Sequence, residues 1–158
     1  MPQRAKNSHT RSNGFKTVPS VKISVFVHAT EEENKVLNVL KLLLSEDVKV
    51  QKEHATGHFR NPIDVLTVKI TKARDISTFL ELIKRNLPKD HIHKLLNDLK
   101  CYVDDDGVLF IRINKQEVAK NSLKLGKKDS ILVKVKIAAY PARKEKALEV
   151  ARGLLRDD

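Results

Sequence analysis

The chain has one cysteine, Cys101, and no tryptophan among its 158 residues. A single cysteine excludes an internal disulfide and a zinc site built from cysteines. No run of about 18 apolar residues is present, so we expect no membrane-spanning helix. The N-terminus also lacks the apolar stretch of a signal peptide. These absences lead us to expect a cytoplasmic protein without a membrane partner.

Recognisable catalytic and nucleotide-binding motifs are missing as well. The sequence contains neither a P-loop nor a G-x-G-x-x-G segment. His91 and His93 are two residues apart in a predicted helix, where they point in different directions, whereas a shared metal ion favours an i, i+4 pair. We therefore expect a non-enzymatic protein without a cofactor, a metal site or a catalytic residue.

An enzymatic alternative rests on the acidic run at 104–106. Its carboxylates could bind Mg²⁺ and serve a metal-dependent nuclease. The run is followed by Gly107, however, and Asp-Gly is typical of a β-hairpin turn. We favour the turn, because no recognisable motif supports the nuclease.

Basic residues, in contrast, are abundant. Lys and Arg total 31 against 20 Asp and Glu, which gives a formal net charge of +11. Hydrophobic residues make up 41% of the chain, which is enough for a proper core. A basic surplus of this size indicates an anionic partner, most often nucleic acid. The other interpretation is a charge-rich surface that only keeps the protein in solution.

The first 20 residues differ in composition from the rest of the chain. They include no acidic residue and carry four basic ones, Arg4, Lys6, Arg11 and Lys16. Their apolar side chains are few and show no period, which is typical of disorder. We interpret 1–20 as a flexible basic arm that either folds against a polyanion or is dispensable. We interpret 21–158 as a single domain.

Periodic patterns along this domain predict alternating strands and helices. Apolar alternation predicts strands at 21–28, 47–51, 63–71 and 130–137, and a hairpin at 101–114. Helical periodicity predicts helices at 30–44, 74–86, 89–99, 115–121 and 141–155. Thr30 and Glu33 have the spacing of a capping box, and Asp75 is a candidate cap. The order βαββααββαβα predicts an α+β fold, a mixed sheet with helices on one face.

The same alternation identifies the sheet face that the helices would leave open, because successive side chains of a strand point to opposite sides. This face would carry Lys22, Ser24, Phe26, His28, Thr67, Lys69, Phe110, Arg112, Leu132, Lys134 and Lys136. Cations can pair with phosphates, and aromatic rings can stack on bases. Aromatic residues make up only 4% of the chain, so we expect phosphate contacts to dominate. An ordinary solvated face is the alternative.

Further candidates for nucleic-acid contact flank the sheet. The loop GHFRNPI at 57–63 has a defined shape, because Gly57 permits a positive φ and Pro62 holds the preceding asparagine extended. Arg60 in this loop could bind a phosphate with both arms of its guanidinium. The remaining candidates are Lys72 and Arg74 after the 63–71 strand, and Tyr140 and Arg143 at the start of the last helix, whose N–H groups attract anions. Tyr140 could instead only anchor that helix.

Four segments, KISVFVHATEEENKVLNVL, EHATGHFRNPIDVLTVKI, DGVLFIRINKQEVA and ILVKVKIAAYPARKE, resemble an archaeal family of predicted RNA-binding proteins, often described as a predicted exosome subunit. The resemblance covers about residues 21–148. Its motif residues are His28, Thr30, Glu31, Gly57, His58, Asn61, Pro62, Arg112, Lys115, Gln116, Tyr140, Pro141 and Arg143. It implies an archaeal source and the fold of the ribosomal protein that holds the small RNA of the large subunit.

We therefore expect a protein that binds structured RNA within an RNA-processing or ribosomal particle. The candidate RNA-binding residues are Lys22, His28, His58, Arg60, Asn61, Lys69, Lys72, Arg74, Arg112, Lys115, Lys134, Lys136, Tyr140 and Arg143. The alternative is a protein-interaction adaptor subunit of an exosome-like or ribosomal complex.

Overall fold

The computed structural model describes residues 17–44, 48–56, 62–138 and 144–156. Within these segments the strands are β1 (Ser20–Val27), β2 (Gln51–Thr56), β3 (Pro62–Ile70), β4 (Val108–Asn114) and β5 (Ser130–Lys136). The helices are α1 (Glu33–Leu43), α2 (Ala73–Asn86), α3 (Lys89–Asn97), α4 (Leu99–Tyr102), α5 (Lys115–Ala119) and α6 (Lys144–Leu155).

The five strands form one sheet in the order β2-β3-β1-β5-β4. All four neighbouring pairs are antiparallel. The α+β class is confirmed, but the expectation of a mixed sheet is wrong. The connection through α1 makes β1 and β2 run the same way, yet β3 returns from β2 and pairs between them. No two parallel strands of this sheet are therefore neighbours.

One face of the sheet forms the core together with the helices. Val21, Ile23 and Val25 of β1 are at most 2% exposed, and they alternate with outward-facing residues. The helices contribute fully buried side chains such as Leu40 and Ile83. Burial of each such side chain stabilises the fold by about 1.5–3 kcal/mol. This burial fixes which strand residues must face the other way.

Two predicted helix caps are wrong. The N-cap residues of α1 and α2 are Glu32 and Lys72, and neither makes a side-chain capping hydrogen bond. Thr30 and Glu33 therefore form no capping box, because the Glu33 carboxylate pairs with Lys52 Nζ at 2.7 Å. Asp75 lies inside the first turn of α2, where its negative charge suits the helix dipole.

The predicted 101–114 hairpin is only partly formed. Its first arm begins as the helical turn α4, and a single bridge joins Val103 to Leu109. The turn between them is ordered by Asp104, whose Oδ1 accepts the N–H groups of Asp106 and Val108 at 3.0 and 2.9 Å. Gly107 has φ +80°, which favours glycine. The acidic run thus serves a turn, as predicted.

The last residues of the segment that we interpreted as the basic arm contact the domain. Val18 is 3% exposed, and Thr17 O accepts the N–H of Ala138 at 2.7 Å, so residues 17–20 pack with the domain.

The strand predicted at 47–51 is found at Gln51–Thr56 instead. Across the described segments, no helix is long and apolar enough to cross a membrane.

Candidate nucleic-acid interface

Three lysines lie side by side on the open face of the sheet. The strand register places Lys69 of β3 opposite Lys22 of β1, and Lys22 opposite Lys134 of β5. We call Lys69, Lys22 and Lys134 the lysine row. Phe110 of β4 continues this row, because it lies opposite Lys134. Adjacent strands are about 4.8 Å apart, so three positive charges project from a strip about 10 Å wide.

The lysine row lacks compensating negative charge. Within the described part of the chain, none of its three ammonium groups pairs with a carboxylate. Lys134 Nζ instead lies 5.8 Å from the ring centroid of Phe110, which is a cation–π distance. Like charges directly opposite in a sheet are destabilising. The row therefore concentrates positive charge in a small area, which attracts anions.

The rest of the open face supports the same electrostatic character. Arg112 and Lys136 are exposed and make no described ion pair. Glu53, on the edge strand β2, is the only carboxylate of the described strands on this face. Thr67, expected on the open surface, is only 6% exposed because it lies between Ser24 and Gln51.

In the described strands, the basic side chains on the opposite side of the sheet have carboxylate partners, in contrast. Lys52 Nζ lies 2.7 Å from Glu33 Oε1 and 3.5 Å from Asp64 Oδ2. His54 Nδ1 lies 2.6 Å from Asp64 Oδ1. The hydrogen bond from His54 and the charge of Lys52 lower the pKa of the Asp64 carboxyl below its ordinary value. Among the described residues, the lysines of the open face thus lack a carboxylate partner, whereas Lys52 on the opposite side has two.

Other predicted RNA contacts lie at the margins of the open face. Lys72 and Arg74 are exposed and follow Ile70 at the end of β3, but Lys72 is the N-cap of α2 and Arg74 lies in its first turn. They therefore flank the lysine row rather than extend it. His28 follows β1, and its Nε2 is 3.1 Å from Asp129 Oδ1. Five predicted contacts, namely His58, Arg60, Asn61, Tyr140 and Arg143, lie outside the described residues, as does Gly57.

The environment of Lys115 argues against the prediction that this residue contacts RNA. Its side chain is 3% exposed, and Nζ lies 2.9 Å from both Glu31 Oε2 and Asp129 Oδ1. The ammonium also donates to the carbonyl of Phe26 at 3.3 Å. A buried cation between two carboxylates cannot reach a phosphate in solution. Lys115 is a structural residue that joins the end of β1 to the turns before α1 and β5.

We call His28, Glu31, Lys115 and Asp129 the Lys115 cluster. Burial alone would raise the pKa of the Asp129 carboxyl, but the hydrogen bond and charge of Lys115, with a smaller effect of His28, lower it below its ordinary value. Single ligand atoms of His28, Glu31 and Asp129 lie within 4.8 Å of one another. Because the Lys115 ammonium already lies between these two carboxylates, we assign no metal ion to the cluster.

Removing the central charge of the lysine row should stabilise the fold. For Lys22→Thr we expect the free energy of unfolding to rise by about 0.5–1 kcal/mol at low salt, because two repulsive cross-strand pairs disappear. Urea unfolding at about 0.01 M and about 1 M salt would measure this, since the Debye length falls from about 30 to 3 Å. A gain that persists at high salt would reflect strand propensity instead of repulsion, and a loss would contradict the repulsive row.

Comparisons with known proteins place this chain in a wider group. A family model described as RNA binding matches residues 20–137. RNA-binding protein PAB1135 of Pyrococcus abyssi is 33% identical over 139 residues, which cover 84% of this chain and 90% of the relative. The crystal structure of protein AF2318 from Archaeglobus fulgidus is similar with a TM-score of 0.81 and 32% identity, covering 87% of this chain and 99% of that one.

A second solved structure shows the same likeness. Mth689, a DUF54 protein from Methanothermobacter thermautotrophicus, has a TM-score of 0.74 and 28% identity, covering 88% of this chain and 98% of that one. The relatives are archaeal, as the sequence resemblance implied. The segment that the family model matches contains every residue of the lysine row and of the Lys115 cluster.

Proposed function

The chain belongs to the RNA-binding family whose model matches residues 20–137, and we propose from this premise that the open sheet face is the surface that binds RNA. The observation that carries the proposal is the lysine row, in which three cations lie directly opposite one another without a described carboxylate partner. Arg112 and Lys136 extend the positive surface.

The contact would be mainly electrostatic. Each ammonium or guanidinium group on the face would pair with a phosphate and release a condensed counterion, which makes affinity depend on salt. Such contacts position an RNA but do not by themselves discriminate between base sequences. We propose a binding role without catalysis, and the relative PAB1135 is likewise named an RNA-binding protein.

Salt dependence of binding tests this proposal. If Lys22, Lys69, Arg112, Lys134 and Lys136 each contact one phosphate, the log–log slope of affinity against salt for single-stranded RNA should be near −3.5. Fluorescence anisotropy of a labelled RNA over a salt series would measure the slope. A slope near zero would contradict the proposal, because no counterions would then be released.

We further propose that the protein works in the cytoplasm as part of an RNA-processing or ribosomal particle that holds structured RNA. This rests on the family resemblance and on the polyanion-binding surface. Sedimentation of a native extract should place the protein in a large particle, and nuclease treatment should release it. Continued sedimentation in a large particle after nuclease treatment would contradict attachment through RNA.

The second candidate is an adaptor that binds proteins in an exosome-like or ribosomal complex. One observation favours it, which is a groove of about 540 Å³ between α1 and α5. Leu42 lines this groove and is 51% exposed. If this role is correct, Leu42→Glu should release the protein from a nuclease-resistant particle while leaving RNA affinity unchanged.

A further inference from the structure

We infer that the open face takes a single-stranded segment of RNA, with one base stacked on Phe26; this inference rests on the proposed function. Phe26 is 50% exposed and lies on β1, the central strand of the sheet. Within the described segments, only Leu42 among the other large hydrophobic side chains is similarly exposed. Leu42 lies in the helical layer, so Phe26 is the large apolar side chain that the described part of the basic face exposes most clearly.

The position of Phe26 fits a platform for a base. It lies four residues after Lys22 on the same face, which places it about 13–14 Å along the strand from the middle of the lysine row. A single strand whose phosphates pair with the row could therefore continue along β1 and bring a base over the ring. Bases of a duplex stack on one another, whereas unpaired bases are free to stack on aromatic side chains.

The other phenylalanine of this face is less suited to this role. Phe110 is only partly exposed, and the ammonium of Lys134 lies 5.8 Å from its ring centroid. No such cation contact is found for Phe26 within the described part of the chain. Phe110 is therefore better suited to hold Lys134 in the row than to receive a base.

The backbone under Phe26 is fixed rather than free. Phe26 pairs with Val65 of β3, and its carbonyl oxygen accepts a hydrogen bond from the buried Lys115 Nζ at 3.3 Å. The same ammonium is held by Glu31 and Asp129. The Lys115 cluster thus positions the strand that presents the ring. A rigidly held ring loses less freedom on binding than a ring on a mobile loop.

The absence of tryptophan from the chain provides a direct experiment. Phe26→Trp creates the only indole of the protein at the proposed platform, and Leu42→Trp creates a control at a site of nearly equal exposure. Each variant is titrated with a labelled single-stranded oligouridylate, and RNA anisotropy reports binding separately from tryptophan emission. We expect quenching of the Phe26→Trp emission as the RNA binds, and unchanged emission from Leu42→Trp.

The possible outcomes distinguish a failure of base stacking on Phe26 from a failure of RNA binding itself. RNA binding without a change in Phe26→Trp emission, or with equal quenching of Leu42→Trp, would overturn the stacking inference alone. A failure of the unsubstituted protein to bind RNA would overturn the proposed function and the inference with it. A blunt-ended duplex should bind without quenching, and quenching by the duplex equal to that by the single strand would also overturn the single-strand assignment.

Affinity provides an independent readout that does not require tryptophan. We expect Phe26→Leu to weaken single-stranded RNA binding roughly 10-fold, because stacking of one base is lost, while the salt slope stays unchanged because no phosphate contact is removed. Phe26→Tyr keeps an aromatic ring and should retain the affinity. Equal affinities of Phe26→Leu and the unsubstituted protein would overturn the platform.

Discussion

Replacing Lys22, Lys69 and Lys134 together by glutamine is expected to weaken RNA binding about 100-fold at about 0.1 M salt. Counterion release at each phosphate contact contributes roughly 0.7 decades of affinity at this salt concentration, and three contacts are lost. Glutamine preserves much of the side-chain length and removes only the charge. Anisotropy of a labelled single-stranded RNA would measure the affinities, and urea unfolding would verify that the variant is folded.

A matched control distinguishes the contribution of the lysine row to RNA affinity from the contribution of net charge. Lys41, Lys94 and Lys100 are exposed helical lysines without a described ion pair, and their joint replacement by glutamine removes the same three charges. We expect this control to weaken binding far less, because long-range attraction is screened within about 10 Å at 0.1 M salt. Equal losses in the two triple variants would show that overall charge, rather than the row, determines affinity.

Lys115→Met is expected to lower the free energy of unfolding by about 2–3 kcal/mol, since it leaves two carboxylates without their shared cation. The loss should be smaller than for a fully buried pair, because the Glu31 and Asp129 side chains are 25% and 43% exposed and can regain water. Lys35→Met is the control, since this lysine is 79% exposed and its pair with Glu32 is long at 3.9 Å. It should change stability by less than about 0.5 kcal/mol.

Acid titration of stability supplies a second test of the Lys115 cluster. The pKa of the Asp129 carboxyl is lowered from its ordinary value of 3.8. The stability from this shift is therefore complete above pH 3.8 and is lost as the pH falls through the lowered pKa. Lys115→Met removes the hydrogen bond and charge that lower the pKa, so it should reduce this acid-dependent loss. An acid profile identical to that of the unsubstituted protein would contradict the role of Lys115.

The sequence predicted which face of the sheet each strand side chain occupies better than it predicted which strands are neighbours. Period-two alternation placed Lys22, Lys69 and Lys134 on one side, because burial of their neighbours leaves no other choice. The alternation does not give strand order, however. That these lysines are directly opposite one another follows only from the pairing of β1 with both β3 and β5.

The Lys115 cluster shows why the sequence did not reveal the environment of one predicted contact. Lys115 follows a strand and is surrounded by polar residues, which locally resembles an exposed position. Its partners Glu31 and Asp129 are 84 and 14 residues away, so no local pattern reveals them. Asp129 carried no signal in the sequence at all. Glu33 was likewise assigned to a cap because its true partner, Lys52, comes from another element.

The most direct test of RNA binding at the open face is to map backbone amide chemical shifts during titration with a short single-stranded RNA. We expect the largest changes at 22–26, 67–69, 108–112 and 132–136, where the strands carry the lysine row, Phe26 and Arg112. The amides of α1, α3 and α5 should change little. Changes concentrated in those helices, with the sheet unaffected, would contradict the assignment of the open face as the RNA-binding surface.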